Sequence, residues 1–403
     1  MPSTASILTG QSALAHGVGR VIDPSNHIAR TRIRPEQETL AERLRAEGYR
    51  TEAIVANIFL TPEMGFSQGF EQFQNRFLDI IRIAALQELP LARGILRFVA
   101  AETVADYRAQ GMVDGALMAL DAGDGRPLFL WLHLIDPHAP YQADPQAIGW
   151  LDPASFNATP REAQPDGALL RDSFGAVHKL RGEDVWFTQE DRERMATWYD
   201  RSVTYADAEL GRLFDALRAR PERPLVVFTS DHGEELWDHS GFEHGHAYWR
   251  EVVDVPLIFW GPGVPAGRVE SQPVGHLDIA PTVLALAGLP TGETGGPDRG
   301  IPVFSGEVAG PRSAEGNLYD LPGALMVEGP WRYVAHANGQ GRLFEVATDP
   351  AERFDRSADE PERAARMRRA VEARLDQMLG AVTGDTELGG EHIEGLRALG
   401  YVE

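Results

Sequence analysis

The chain has 403 residues, with 60 acidic against 38 basic side chains, twelve histidines and no cysteine. The lack of cysteine excludes disulfides, cysteine-ligated zinc, iron–sulfur centres and thiol nucleophiles within this chain, and a formal charge of −22 argues against wrapping nucleic acid or an anionic membrane, both of which need a basic surface. At about 150 residues per domain the length suits roughly two or three domains, and no apolar run approaches the ~20 residues of a membrane span.

Met1–Gly10 (MPSTASILTG) has neither the basic start nor the long apolar stretch of a signal peptide. It has the character of the interior of a folded protein. Glu36–Gly48 is a predicted helix, with Leu40 and Leu44 at i, i+4 and Gly48 as a stop signal. Glu52–Asn57 is a predicted short strand. Leu128–Ile135 (LFLWLHLI) is apolar almost throughout, as expected for a strand covered on both faces. Gln142–Asp184 is polar, rich in Pro, Gly and Asp, and is expected to be a long surface excursion beside the site.

Gln189–Arg220 has a helical period through Trp198, Val203, Ala206, Leu210, Leu213 and Leu217. Leu225–Thr229 and Val255–Trp260 are predicted strands, and Pro281–Ala287 a helix opened by its proline and closed at Gly288. Strands alternating with helices predict an α/β fold, a mostly parallel sheet flanked by helices. Gly288–Gly310 is dense in Gly and Pro. Beyond it, Leu325–Val327, Trp331–Ala335 and Leu343–Val346 predict short antiparallel strands, and Glu360–Leu379 a charged amphipathic helix. The expected division is a large α/β domain over 1–304 and a small C-terminal α+β subdomain over 305–403.

The histidines are unevenly spread. His232, His239, His244 and His246 fall in one stretch, while His133 and His138 stand at the end of another predicted strand. Ligands of open α/β sheets bind outside the carboxyl ends of strands, so the two groups can converge. In Thr229-Ser230-Asp231-His232-Gly233-Glu234 a strand delivers a carboxylate and an imidazole, a donor pair suited to a divalent ion. The plainer reading makes Asp231 a helix cap and His232 polar surface. His244 and His246 suit a metal, a substrate oxyanion or a satisfied loop. His138, in Asp136-Pro137-His138-Ala139-Pro140-Tyr141, is aimed by a proline-stiffened loop, as proton transfer or oxyanion contact requires; Asp136 alternatively braces a turn. His133, inside the apolar strand, is expected to be a core histidine.

In their order along the chain these segments resemble the sulfatase-like enzymes of the alkaline phosphatase superfamily. The resemblance rests on Pro2–Gly10 with His16-Gly17-Val18, Gly48-Tyr49-Arg50-Thr51, His133–Tyr141 and Tyr205–Leu217. It continues through Phe228–Glu234 with Gly245-His246, Val255-Pro256-Leu257-Ile258, His276–Thr282 and Leu396–Val402. It implies an alkaline phosphatase-like fold and metal-assisted hydrolysis of sulfate esters. Asp231 and His232 are implied as metal ligands, His138 and His246 as catalytic groups, His244 and Asn57 as substrate contacts, and His276 and Asp278 as support beneath the site. The cofactor implied is one divalent ion (zinc, manganese, magnesium or calcium), with the imidazole of His232 favouring zinc or manganese. The implied substrate is a small-molecule or glycan sulfate or phosphate ester, with no nucleic acid partner.

Two departures from the family pattern stand out. Formylglycine sulfatases follow their Pro-Ser with Arg, whereas here Pro2-Ser3 is followed by Thr4. That leans toward the alternative of a phosphodiesterase, phosphatase or phospho-group transferase of the same superfamily. The family's nucleophile also lies two residues before that proline, which here falls just before Met1. The expectation is therefore a chain truncated after its nucleophile and inactive as it stands, with a non-catalytic binding paralogue as a further alternative. A periplasmic or extracellular location would follow from a signal peptide upstream.

Overall fold

The computed structural model describes residues 1–22, 28–30, 32–78, 107–139, 141, 159–160, 185–186, 189–245, 247–295, 298–305, 311–318, 321–336 and 341–380. The predicted excursion over Gln142–Asp184, apart from 159–160, and the closing Leu396–Val402 lie outside these residues, as does His246.

Arg50–Val55 is the centre of a three-stranded parallel sheet, flanked by Gln72–Asn75 and Leu128–His133. All six of its residues are buried. The apolar strand Leu128–His133 explains why: its alternate side chains point to opposite faces, and both faces are covered. Phe129 and Trp131 join the cluster containing Ala5 and Leu8 of the Pro2–Thr9 helix, and each stacks on Phe70 at 5.8 Å between ring centroids. Leu130 and Leu132 face the other way, onto Val113 and Ala116 of helix Ala109–Asp121 and onto Leu213 and Leu217 of helix Gln189–Ala219. Burying each such side chain contributes about 1.5–3 kcal/mol. Arg50 is admitted to this interior because its guanidinium meets Glu52 at 2.6 Å and the Ala119 carbonyl at 2.7 Å.

Local chemistry moves several boundaries. The helix expected over Glu36–Gly48 runs from Leu40 to Ala46, because Thr39 and Glu42 form a reciprocal capping box. Gly48, at φ 85°, ends it in the left-handed region. The strand expected over Glu52–Asn57 is Arg50–Val55. The helix expected over Pro281–Ala287 starts at Ile279 and ends at Leu286. In the long helix Trp198, Ala206, Leu213 and Leu217 are buried as expected, but Val203 is 41% exposed and Ser202 takes the inward position. Ser202 continues the i, i+4 row from Trp198 to Ala206; Val203 stands about 100° further round the helix.

Two helices carry weaker sequence signals. Pro2–Thr9 is a helix with proline at its start and Gly10 closing it. Ala109–Asp121 is a helix despite Gly111 and Gly115. Val226–Thr229, expected as a strand, pairs with Leu257–Trp260 antiparallel; the connection between them carries the short strands Glu235–Leu236 and Phe242–Glu243 and the Arg250–Val253 turn of helix rather than a crossover helix.

The C-terminal residues form a four-stranded antiparallel meander, Arg312–Leu318, Leu321–Glu328, Trp331–His336 and Gly341–Glu345. The first of these adds to the three strands predicted. Helix Pro361–Gly380 lays Ala364, Met367, Val371 and Leu375 on Ala324, Trp331, Tyr333 and Leu343. No helix among the described residues is long and apolar enough to cross a membrane.

Candidate active site

Two chain segments meet at the carboxyl ends of their strands. His133 closes the Leu128–His133 strand, and its register partner Val55 closes the central strand. Ser230, Asp231 and His232 follow directly on Val226–Thr229. Gly233 makes the next turn possible: its amide donates to the Val252 carbonyl at 2.7 Å, and a Cβ there would lie 2.0 Å from the Glu251 carbonyl oxygen. The Glu234 amide donates to that same oxygen at 2.9 Å. The turn is thereby clamped onto residues 251–252.

Asp231 is half-buried and faces two imidazoles, with His232 Nε2 at 3.7 Å and His133 Nε2 at 3.9 Å from its carboxylate oxygens. Burial opposes its charge, but His232, His133 and the α-amino group of Met1 outweigh burial and hold it well below the usual carboxylate range. His232 Nδ1 donates to the Gly233 carbonyl at 2.9 Å, and Nε2 is the nitrogen turned toward Asp231. Metal-bound histidines are fixed in this way by a carbonyl on the other nitrogen.

His244 stacks on His232 at 3.8 Å, and His138 stands edge-on to His244 at 4.9 Å and to His232 at 6.3 Å. His138 Nδ1 donates to the Ala139 carbonyl at 2.6 Å. Burial, then the neighbouring His244, pushes the His138 pKa down to about 4, so its ring is neutral near pH 7. His244 Nδ1 meets the buried carboxylate of Glu234 at 2.8 Å. Asp136 accepts from the Ala109 amide at 2.8 Å and from Arg108, so it caps the 109–121 helix and anchors the loop that carries His138.

The structure brings Asp231, His232, His138 and His244 together. It adds His133, expected as a core residue, and Glu234, which carried no assignment although it ends the same motif. The four-histidine stretch is split: His239 stacks on Trp249 at 4.0 Å and pairs with Glu251 instead. Asn57 lies just past the end of the central strand, where its side-chain oxygen accepts from the Phe59 amide at 2.8 Å in a local turn. His276 supports the metal-ligand candidates from behind, donating to the Ser230 carbonyl at 2.8 Å.

Asp231 and His232 fit a divalent cation as one oxygen and one nitrogen donor on facing atoms. No group of three or more potential ligand side chains is assembled among the described residues, so the pair would supply part of a coordination shell.

The sulfatase family model matches residues 1–289, nearly three quarters of the chain. The chain belongs to the sulfatase family. This sulfatase-family chain is 31% identical over 255 residues to arylsulfatase K of Danio rerio, covering 56% of this chain and 48% of that protein. It spans about half the length of that curated relative. Its fold is similar to that of a solved 2-O GAG sulfatase, with a TM-score of 0.67 at 17% identity over 96% of this chain and 84% of the other. The phosphonate monoester hydrolase of Agrobacterium radiobacter is also similar, with a TM-score of 0.62 at 19% identity over 97% and 88% of the two chains. Both likenesses show the alkaline phosphatase-like fold: a parallel sheet with helices and a small antiparallel subdomain.

Proposed function

We propose that this sulfatase-family protein hydrolyses sulfate esters carried on sugars or other small molecules, aided by a divalent cation held by Asp231 and His232. The observation that carries the reading is the convergence of His138 and His244 on His232, which stands beside Asp231, at the carboxyl ends of two strands. The 2-O GAG sulfatase neighbour supports a sulfated sugar as substrate. A divalent ion bound there would neutralise charge on the ester oxygens.

The residues assigned here bind substrate and move protons; none of them is assigned as the attacking nucleophile. His138, neutral and with Nδ1 committed to a carbonyl, presents Nε2 as the nitrogen that can accept or return a proton. His244 contacts the equatorial oxygens, and His246, which the family resemblance implies near the leaving group, serves proton transfer there. Asn57 contributes its amide to substrate at the rim. In this reading 1–304 is the catalytic α/β domain and 305–403 the C-terminal α+β subdomain.

The second reading, a phosphodiesterase, phosphatase or phospho-group transferase of the same superfamily, is favoured by one observation. Thr4, where formylglycine sulfatases carry arginine, is buried in the Pro2–Thr9 helix, with no hydrogen-bond partner for its hydroxyl among the described residues. The position offers no guanidinium to an aldehyde hydrate.

Calorimetric titration with inorganic sulfate and phosphate, each with and without Mn²⁺, tests the reading. Sulfate is expected to bind in a Mn²⁺-dependent way that Asp231→Asn abolishes. Parallel rates on 4-nitrophenyl sulfate and 4-nitrophenyl phosphate separate the two chemistries. Phosphate preferred in both measurements would move the assignment to the second reading, and no Mn²⁺-dependent binding of either anion would overturn both.

A further inference from the structure

Glu234 has a place that its neighbours in sequence do not explain. Its side chain is 4% exposed, and a buried carboxylate is costly unless every oxygen is satisfied. One oxygen meets His244 Nδ1 at 2.8 Å and the other accepts from the Tyr141 hydroxyl at 3.2 Å. Tyr141 is fully buried, edge-on to Tyr199 at 5.6 Å and to Phe242 at 6.4 Å. It cannot turn without repacking those rings. The backbone of Glu234 is pinned as well, through its amide to Glu251 and through the Gly233 turn beneath it.

The outcome is a rigid chain of contacts from Tyr141 through Glu234 to His244. A carboxylate on Nδ1 selects the tautomer that has its proton there, and so sets the character of Nε2. It also fixes the ring plane, which here lies flat against His232 and edge-on to His138. Without Glu234, the ring of His244 could rotate about its side-chain bonds or exchange tautomers, and either change would alter what it offers a substrate oxygen.

We propose that Glu234, braced by Tyr141, is a positioning residue that holds His244 in one tautomer and orientation for contact with the oxygens of the ester. The proposal rests on the reading of the site given above, but its first measurement does not.

Nitrogen-15 spectra of histidine-labelled protein report the tautomer of each ring, with His244 assigned by its loss in His244→Gln. The wild-type His244 is expected as the Nδ1–H form. Glu234→Leu is expected to convert it to mixed tautomers, whereas Glu234→Gln, which keeps an acceptor oxygen, retains the Nδ1–H form. Tyr141→Phe gives an intermediate result and stands in if Glu234→Leu does not fold, as judged by its thermal transition. In calorimetry with inorganic sulfate in the presence of Mn²⁺, Glu234→Leu is expected to weaken binding roughly tenfold, the scale of one hydrogen bond to a charged group. His244→Gln should weaken it equally, and the double variant no further. An unchanged His244 tautomer in Glu234→Leu, or losses that add in the double variant, would overturn the proposal. Wild-type protein that binds no sulfate but shows the tautomer shift would overturn the site reading while upholding the role of Glu234.

Discussion

The guanidinium of Arg312 lies 2.7 Å from the carboxylate of Asp278, with their side chains 8% and 2% exposed. Asp278 sits in the short 3-10 turn His276–Asp278 behind the site, and Arg312 opens the first strand of the C-terminal sheet. The pair ties the sheet to the element that supports Ser230. Burial raises the Asp278 pKa, against the opposing pull of Arg312. The same carboxylate accepts from the Gly275 and Ile301 amides at 2.8 Å each.

Breaking a buried ion pair leaves one charge uncompensated, at a cost of about 3–5 kcal/mol. Arg312→Met is expected near the lower end, because two amides still serve the carboxylate. Asp278→Leu is expected near the upper end, because it strands both amides and the guanidinium. Urea unfolding of the three proteins checks the order; losses below about 1 kcal/mol in both variants would show that the pair is not structural.

Gly233→Ala should fail for steric reasons alone. A methyl 2.0 Å from the Glu251 oxygen forces the turn away from residues 251–252, at a cost of about 1–3 kcal/mol. Sulfate binding should weaken together with stability, since Asp231 and His232 ride on that turn. Gly123→Ala, where a Cβ meets nothing within 4 Å, is the control and should leave both unchanged. Equal behaviour of the two variants in urea and calorimetry would refute the clamp.

His16 makes the fold sensitive to acid. Its Nδ1 accepts the Val18 amide at 3.0 Å, so the ring proton sits on Nε2, 3.0 Å from the Ser6 hydroxyl. Burial lowers its pKa from 6.5 to about 3; the Pro2 carbonyl opposes the shift and the Met1 α-amino group adds to it. A group depressed in the folded state stabilises above its unfolded pKa. That contribution is complete above pH 6.5 and is lost progressively as pH falls from 6.5 toward about 3. His16→Asn, whose side-chain oxygen can accept from Val18, should lose less stability than wild type between about pH 7 and about pH 5. Urea midpoints that fall in parallel would contradict this.

His239 has the opposite sign. Its Nδ1 meets Glu251 at 2.6 Å and its Nε2 meets the Ala351 carbonyl at 2.8 Å, so both nitrogens face acceptors and the ring is held as a cation. Burial works to lower its pKa, but Glu251, with help from Ala351 and Glu235, raises it above 6.5. The stabilisation is complete below pH 6.5 and is lost as pH rises through the raised value. The thermal midpoint of wild type should therefore drop more than that of His239→Gln between about pH 6 and about pH 9. Identical drops would show that the contact carries no proton linkage.

Much of this architecture is written locally. The doubly covered strand is legible in LFLWLHLI, where no alternate position is polar enough to face water. The long helix is legible in its i, i+4 rows, and the donor pair Asp231-His232 in its place after a strand. The order of the motifs carries the family. The helix over Ala109–Asp121 is less legible because Gly111 and Gly115 weaken its local preference. Gly115 is there for packing, since a Cβ would stand 3.3 Å from Ile54.

What the sequence determined by itself is the period of each element, the residues able to carry chemistry and the family. Only the tertiary structure decided which histidines belong to the site. His133 reaches Asp231, and Glu234 holds His244, while His239, between them in the chain, turns to Glu251 and the C-terminal residues. Local periodicity reports the face of a strand or helix on which a side chain stands, but the partner across the gap depends on strand order, register and the path of the loops. Those are set by burying apolar surface over the whole chain, and no short segment encodes them.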